Sequence, residues 1–405
     1  MTSARKLLAI TAINIGLSSV AFISIELLFG GWLKSKPFVP NILPKQGISH
    51  DLRLMKKTWG ITTRIPDSDG LVRFLKSKKS KGSKKECSLL ILGGSTSEER
   101  ILNKQDTWGH RLYQSLNEKD IVRKECPDGF DVTNAAVNGH SIVANYFDIL
   151  FWISRSKQAF GSAVIYQGIN DFQGDLLETP DWYDQYWQYI TFALRYNSIF
   201  FNLATSTLPP DTGWSRAMNH RNTILVTPHR KHAEQWKHYM VTSQTRDRLS
   251  TGLVTHGSHV ERVAQALKAV GVNNIVWITQ TKPFCDLRKM PYAISVKGAS
   301  LKQSRLDSLD NWGIKDLKYF LAHDRVGDCL RLGLIRSSYR ETSRRLARLG
   351  ITSSVVDYGS LVESDADSYD DYHKSHKGSM LLWGEFERMG LPEKIVNYLT
   401  VKNQW

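Results

Sequence analysis

The sequence predicts a three-layer α/β domain carried behind a single membrane-spanning helix. Five short, almost wholly apolar runs recur at intervals between helical stretches, which is the pattern of a parallel sheet covered on both faces. A 27-residue apolar segment, Leu7 to Leu33, precedes them. Between the two lies a strongly basic stretch.

The strands are read as "SLLIL" (88–92), "DVTNAAV" (131–137), "AVIYQGI" (163–169), "NIVWITQ" (274–280) and "SSVVDYG" (353–359). Each is nearly continuous in hydrophobicity rather than alternating, as strands buried on both faces are. "WGHRLYQSLNE", "HVERVAQALKAVG" and "YRETSRRLARLG" are the helical candidates between them. The last two end in glycine before the next strand, a common helix stop. Strand alternating with helix implies right-handed crossovers and strands that run parallel. Residues 87–405 are therefore expected to form one domain, with its last helix ending near residue 399.

The segment "LLAITAINIGLSSVAFISIELLFGGWL" is long enough to cross a bilayer, and its polar residues are mostly small. Glu26 is the exception and lies near one end, where its carboxylate can reach the interface. No small-x-small cleavage site follows, so residues 7–33 are read as an uncleaved signal anchor after a tail of residues 1–6. Positive charges flank both sides almost equally. The short tail and the large following domain place the N-terminus in the cytoplasm and the domain outside it. Residues 34–86 form a basic juxtamembrane linker holding fourteen Lys or Arg against four acids, ten of the chain's fifteen net positive charges. Such a run is a solvated linker or a partner for anionic lipid headgroups. No nucleic-acid-binding module accompanies it. The four cysteines, Cys87, Cys126, Cys285 and Cys329, are compatible with two bridges in an oxidising compartment or with buried thiols, and their spacing fits no zinc site.

Two connections are long. Residues 172–255 form an insertion in which Tyr183, Trp187, Ile190 and Leu194 would make one helical stripe. This stripe reads as core packing, as a lid with rings for sugar stacking, or as a surface that dips into lipid. Residues 282–335 hold two of the cysteines.

In an open parallel sheet ligands gather at the carboxyl ends of the strands. Those ends carry Gly93, Gly94, Ser95 and Thr96; then Asn138, Gly139, His140 and Ser141; then Gly168, Ile169, Asn170 and Asp171. On the way into the last helices comes "SYDDYHKSHKGSMLLWGEF", with Asp370 and His373. Ser95 followed by Glu98, and Thr96 by Glu99, also fit capping boxes, which alone would explain a serine there. A nucleophile needs more: a base for its proton and donors for the developing oxyanion.

"GGST" with Ser95, "NG" with Gly139, "GIND" with Asn170 and "DDYH" with His373 resemble the four sequence blocks of the SGNH (GDSL-type) hydrolases, in the same order and each after the expected strand. The resemblance spans roughly residues 87–399. It implies a flavodoxin-like order for the five-stranded sheet and a serine esterase or acyl-transfer activity without cofactor or metal. By the same resemblance Ser95 is the nucleophile, and Ser95 N–H, Gly139 N–H and the Asn170 amide form the oxyanion hole. His373 is the base and Asp370 orients it. His376 and Asp371 compete for these last two roles, Gly378 fits the entry to the last helix, and the first block reads Gly-Gly-Ser-Thr where the family name has Gly-Asp-Ser-Leu. Asp171 is expected to support its loop, and His140 to be a substrate contact or a turn residue.

The expected function is a membrane-anchored serine esterase acting on ester groups, O-acetyl among them, of a glycan or lipid outside the cytoplasm. An O-acyltransferase with the same residues, or a non-catalytic tethered scaffold with the same fold, are the alternatives.

Overall fold

A computed structural model describes residues 3–30, 32, 72–74, 85–99, 102–137, 140–155, 158–171, 243–280, 296–297, 300–301, 326–358 and 376–401, together with seven residues between 189 and 200. Strands β1 (Val72–Phe74), β2 (Ser88–Gly93), β3 (Asp131–Asn134), β4 (Ser162–Tyr166), β5 (Asn274–Ile278) and β8 (Thr352–Val356) form one sheet in the order β1-β3-β2-β4-β5-β8. The pair β6 (Val296–Lys297) and β7 (Ser300–Leu301) stands apart as a short antiparallel ribbon. In the main sheet β3, β2, β4, β5 and β8 run parallel, in register from Leu90↔Thr133 on one side of β2 to Leu90↔Ala163 on the other.

The five parallel strands are those expected; β2, β3, β4 and β5 are buried throughout, whereas the edge strand β8 is largely half-buried. Leu90 and Leu92 face a core shared with helices α5 (Ile142–Phe151), α6 (Ser243–Ala269) and α7 (Val326–Leu346). Leu89 and Ile91 face the opposite core, closed by α3 (Trp108–Glu118), α4 (Asp120–Glu125), α8 (His376–Arg388) and α9 (Leu391–Val401). The result is three layers, helices on sheet on helices. The glycines after two of the helices, Gly271 and Gly350, take positive φ values of 96° and 66°, the left-handed stop expected of them.

The sixth strand was not anticipated. β1 lies inside the stretch read as a linker and pairs antiparallel with β3, Val72 opposite Asn134. Its short apolar signal is split by Arg73, preceded by Asp67 and Asp69 and followed by lysines. A short, charged strand suits a sheet edge, where it discourages pairing with other chains.

Helix α1 (Ser3–Phe29) contains one 20-residue stretch, Ile10–Phe29, long and apolar enough to span a membrane. Its side chains there are exposed except for Glu26, which is only 7% exposed. Glu26 therefore does not reach out toward water as expected; protein groups hold it. Its partners are Trp32 and two residues of the insertion, described below.

Candidate active site

The order of the parallel strands places the second to one side of the first and the third to the other, so the direction of winding reverses between β2 and β4. At such a switch point the loops leaving the two strands diverge and open a crevice at their carboxyl ends. Ser95 follows β2 and Asn170 follows β4.

The turn after β2 is built by two glycines that no other residue can replace without movement. A side-chain carbon on Gly93 would lie 2.3 Å from both Ser97 Oγ and Tyr166 O, and its φ is 152°. The space is taken because Ser97 Oγ donates to Tyr166 O at 2.6 Å, tying the turn to the end of β4. A side-chain carbon on Gly94 would lie 2.6 Å from Asn170 Nδ2, so the Asn170 amide packs directly on the residue before Ser95.

Ser95 opens the short helix α2 (Ser95–Glu98), and Gly94 is its cap: the N–H groups of Ser97 and Glu98 both donate to Gly94 O. Neither capping box forms. Ser95 Oγ is partly exposed and takes no hydrogen-bond partner among the described residues, while Thr96 Oγ1 accepts from Gln280 Nε2 at 3.3 Å. Ser95 therefore does not cap its helix, and a side chain at either of the two positions before it would force a neighbour to move.

The third block folds as a 3-10 turn, Ile169–Asp171. Asn170 Nδ2 donates to His140 O at 3.1 Å, and Gln167 Nε2 donates to the same oxygen at 2.6 Å. One amide hydrogen of Asn170 is thereby fixed, which leaves the other to point elsewhere. Asp171 carries the loop from below. Its Oδ1 accepts from Ile142 N at 2.5 Å and from Gln167 Nε2 at 3.2 Å, and its Oδ2 meets His256 Nε2 at 3.1 Å. His256 Nδ1 lies 2.9 Å from Ser338 Oγ, so an Asp–His–Ser chain runs from α6 to α7. All three groups are sealed in the core, so this arrangement supports the loop and has no opening to a substrate. His140 is buried too, its Nδ1 2.7 Å from Asp148 Oδ2, which ties its turn to α5.

Glu99 ends the turn that bears Ser95. It is buried, its Oε2 accepts from Trp108 N at 2.8 Å, and its Oε1 accepts from Ser379 Oγ at 2.6 Å. Ser379 sits in the first turn of α8, the helix that follows the "DDYH" block. This pairing draws the beginning of α8 to the turn bearing Ser95.

Of the residues predicted for the site, Ser95 and Asn170 are brought together. Gly139, Asp370, Asp371 and His373 lie outside the described residues, as does the side chain of His376. Gly378 is buried. Gln167, Asp148, His256, Glu99 and Gln280 were missed. Gln167 sits one place before Gly168 of the third block and was open to notice; the others are joined to the site only by tertiary contacts.

No family profile matches the chain, and no curated protein does. Solved structures that it is similar to include a putative lipolytic protein of the G-D-S-L family from Desulfitobacterium hafniense, at 11% identity and a TM-score of 0.31 over 75% of this chain and 99% of that one. An acetylxylan esterase from Geobacillus stearothermophilus aligns at 12% identity and a TM-score of 0.32 over 76% of this chain and 94% of that one. A GDSL-like lipase from Bacteroides thetaiotaomicron aligns at 9% identity and a TM-score of 0.31 over 76% of this chain and 89% of that one.

Proposed function

We propose that the chain is a membrane-anchored serine hydrolase that cleaves ester bonds through Ser95, His373 and Asp370. One observation carries the reading: the amide of Asn170 rests on Gly94, beside a serine hydroxyl that caps nothing, at the switch point of a parallel sheet.

Ser95 Oγ gives its proton to His373, held by Asp370, and attacks the ester carbonyl carbon. The oxyanion that forms is held by Ser95 N–H, Gly139 N–H and the second Nδ2 hydrogen of Asn170. Each such donor contributes on the order of 3 kcal/mol to lowering the barrier. The tetrahedral adduct collapses, the alkoxide leaving group takes the proton from His373, and an acyl-Ser95 remains. Water, activated by the same imidazole, releases the acid and restores the enzyme. Two features support His373 as the base. It precedes the first residue of α8 by three positions, a span of chain that reaches at most about 11 Å. The first turn of that helix is in turn hydrogen-bonded to Glu99 on the nucleophile turn.

The substrate is an O-acyl ester of a glycan or lipid on the outer side of the membrane. Cys87 and Cys126 form a disulfide, a bond that persists in oxidising compartments, and this supports an external domain with a cytoplasmic N-terminus. Replacing Ser95 with Ala should lower hydrolysis of a small acetyl ester by on the order of 10⁴-fold or more while leaving thermal unfolding unchanged. A Ser95→Ala protein with full activity would falsify the assignment.

A further inference from the structure

Glu26 is a carboxylate inside the apolar stretch of α1, where an ionisable group facing lipid is strongly unfavourable and one facing protein marks a contact. Here the contact is complete. Oε1 accepts from Ser198 Oγ at 2.6 Å and from Phe200 N at 3.1 Å, and Oε2 accepts from Trp32 Nε1 at 2.9 Å. One turn earlier on the same helix, Phe22 stacks on Phe200, ring centroids 4.4 Å apart and planes 14° from parallel. Close approach of the two backbones depends on Gly30: a side-chain carbon there would lie 2.5 Å from Asn197 O.

The segment that receives the helix is itself fixed to the domain. Asn197 Oδ1 accepts from Arg155 Nη1 at 2.6 Å, and the ring of Tyr189 meets Phe147 and Phe151 edge-on. Phe147 and Phe151 belong to α5, whose first residues leave the candidate active site at Ser141. Contacts therefore link the apolar helix through Ser198 and Phe200 to Asn197 and Arg155, just past the end of α5, while Tyr189 packs on α5 itself.

We propose that Asn197, Ser198 and Phe200 form a docking surface for the chain's own membrane helix, closed by Glu26. The domain is seated against the anchor by this clamp rather than swinging on the basic stretch between them. Phe200 reaches one helical turn below Glu26, to the level of Phe22, and so enters the apolar edge of the bilayer with the anchor. The proposal rests on the membrane-spanning reading of α1 made above, and does not depend on the chemistry at Ser95.

The test uses the full chain in lipid vesicles, with a protease recognition sequence inserted between residues 40 and 60. After cleavage and a high-salt wash, which removes electrostatic adherence, the domain should still sediment with the vesicles. Glu26→Leu makes the anchor more apolar but removes the acceptor, and Gly30→Val separates the backbones. Each should raise the released fraction by on the order of tenfold, as expected for the loss of charge-assisted hydrogen bonds. Unchanged thermal unfolding of the cut domain shows that release is undocking and not unfolding. Release of the unsubstituted domain as readily as the variants, or equal retention of all three, overturns the clamp. An N-terminal fragment stripped from the vesicles by alkaline carbonate would instead remove the membrane-spanning premise itself.

Discussion

Glu99 adopts left-handed backbone, φ 44° and ψ 42°, where glycine is at ease and other residues store on the order of 1–3 kcal/mol. What holds it there is its buried carboxylate, shared between Trp108 N and Ser379 Oγ. Its part is positional: it joins the first turn of α8 to the turn bearing Ser95. Glu99→Ala should lower kcat for ester hydrolysis by about 10- to 100-fold with little change in KM, since small misplacements of reacting groups cost rates of that order. Glu99→Gly removes the strain as well as the carboxylate, so it should melt higher than Glu99→Ala yet share its low kcat. Equal kcat in Glu99→Ala and the unsubstituted protein would show that the link does not reach the chemistry. Nothing near Glu99 in the sequence announces this, because Ser379 lies 280 residues away. Ser95 and Asn170 were legible because each stands at a fixed offset from the end of an apolar strand. The same local signal allowed Ser95 to be read as a helix cap, a reading that only the coordinates of Gly94 remove.

At the scale of elements, α6 carries the polar support of the third block. His256 on this helix meets Asp171, and one turn on lies His259, whose pKa burial lowers from 6.5 to about 4, with the charges of His256 and Arg262 acting in the same direction. In the unfolded chain the His259 imidazole takes a proton near pH 6.5, whereas in the folded protein it stays neutral until about pH 4. The neutral form's contribution is therefore intact above pH 6.5 and is lost as the pH falls toward 4, by at most about 3 kcal/mol. Urea unfolding at pH 7 and pH 4.5 should show a smaller loss of stability for His259→Gln than for the unsubstituted protein. An identical loss would show that other groups set the acid sensitivity. The strands of this layer were readable because burial on both faces leaves an unbroken apolar run. β1 was not, because an edge strand needs only one buried face and three residues. α6 was anticipated from residue 259, but it begins at Ser243, within a stretch whose polar residues mask the helical period.

For the whole molecule, the arrangement joins a helix long and apolar enough to span a membrane, a basic stretch of sequence and a three-layer α/β domain. The Cys87–Cys126 disulfide closes a loop with a sequence separation of 39 and pins the entry of β2 to the residue after α4. By the chain-entropy relation this is worth about 3–4 kcal/mol. A Cys87→Ser, Cys126→Ser double variant should unfold at lower denaturant by that amount and be insensitive to reductant, whereas an unchanged midpoint would mean the bridge is stabilising only locally. Cys285 and the side chain of Cys329 lie outside the described residues. The apolar helix and the parallel sheet could be read from composition and period alone. The inward face of Glu26 could not, because its partners Ser198 and Phe200 belong to an insertion whose place in the fold no local pattern fixes.

The central claim is that Ser95 is the residue that takes the acyl group. A fluorophosphonate, which bonds covalently to an activated serine, followed by digestion and mass spectrometry of the labelled peptide, addresses it directly. The adduct is expected on Ser95 within the 88–100 region, and should vanish when His373 is replaced by Ala. An adduct on another serine, or none on a folded protein, would contradict it.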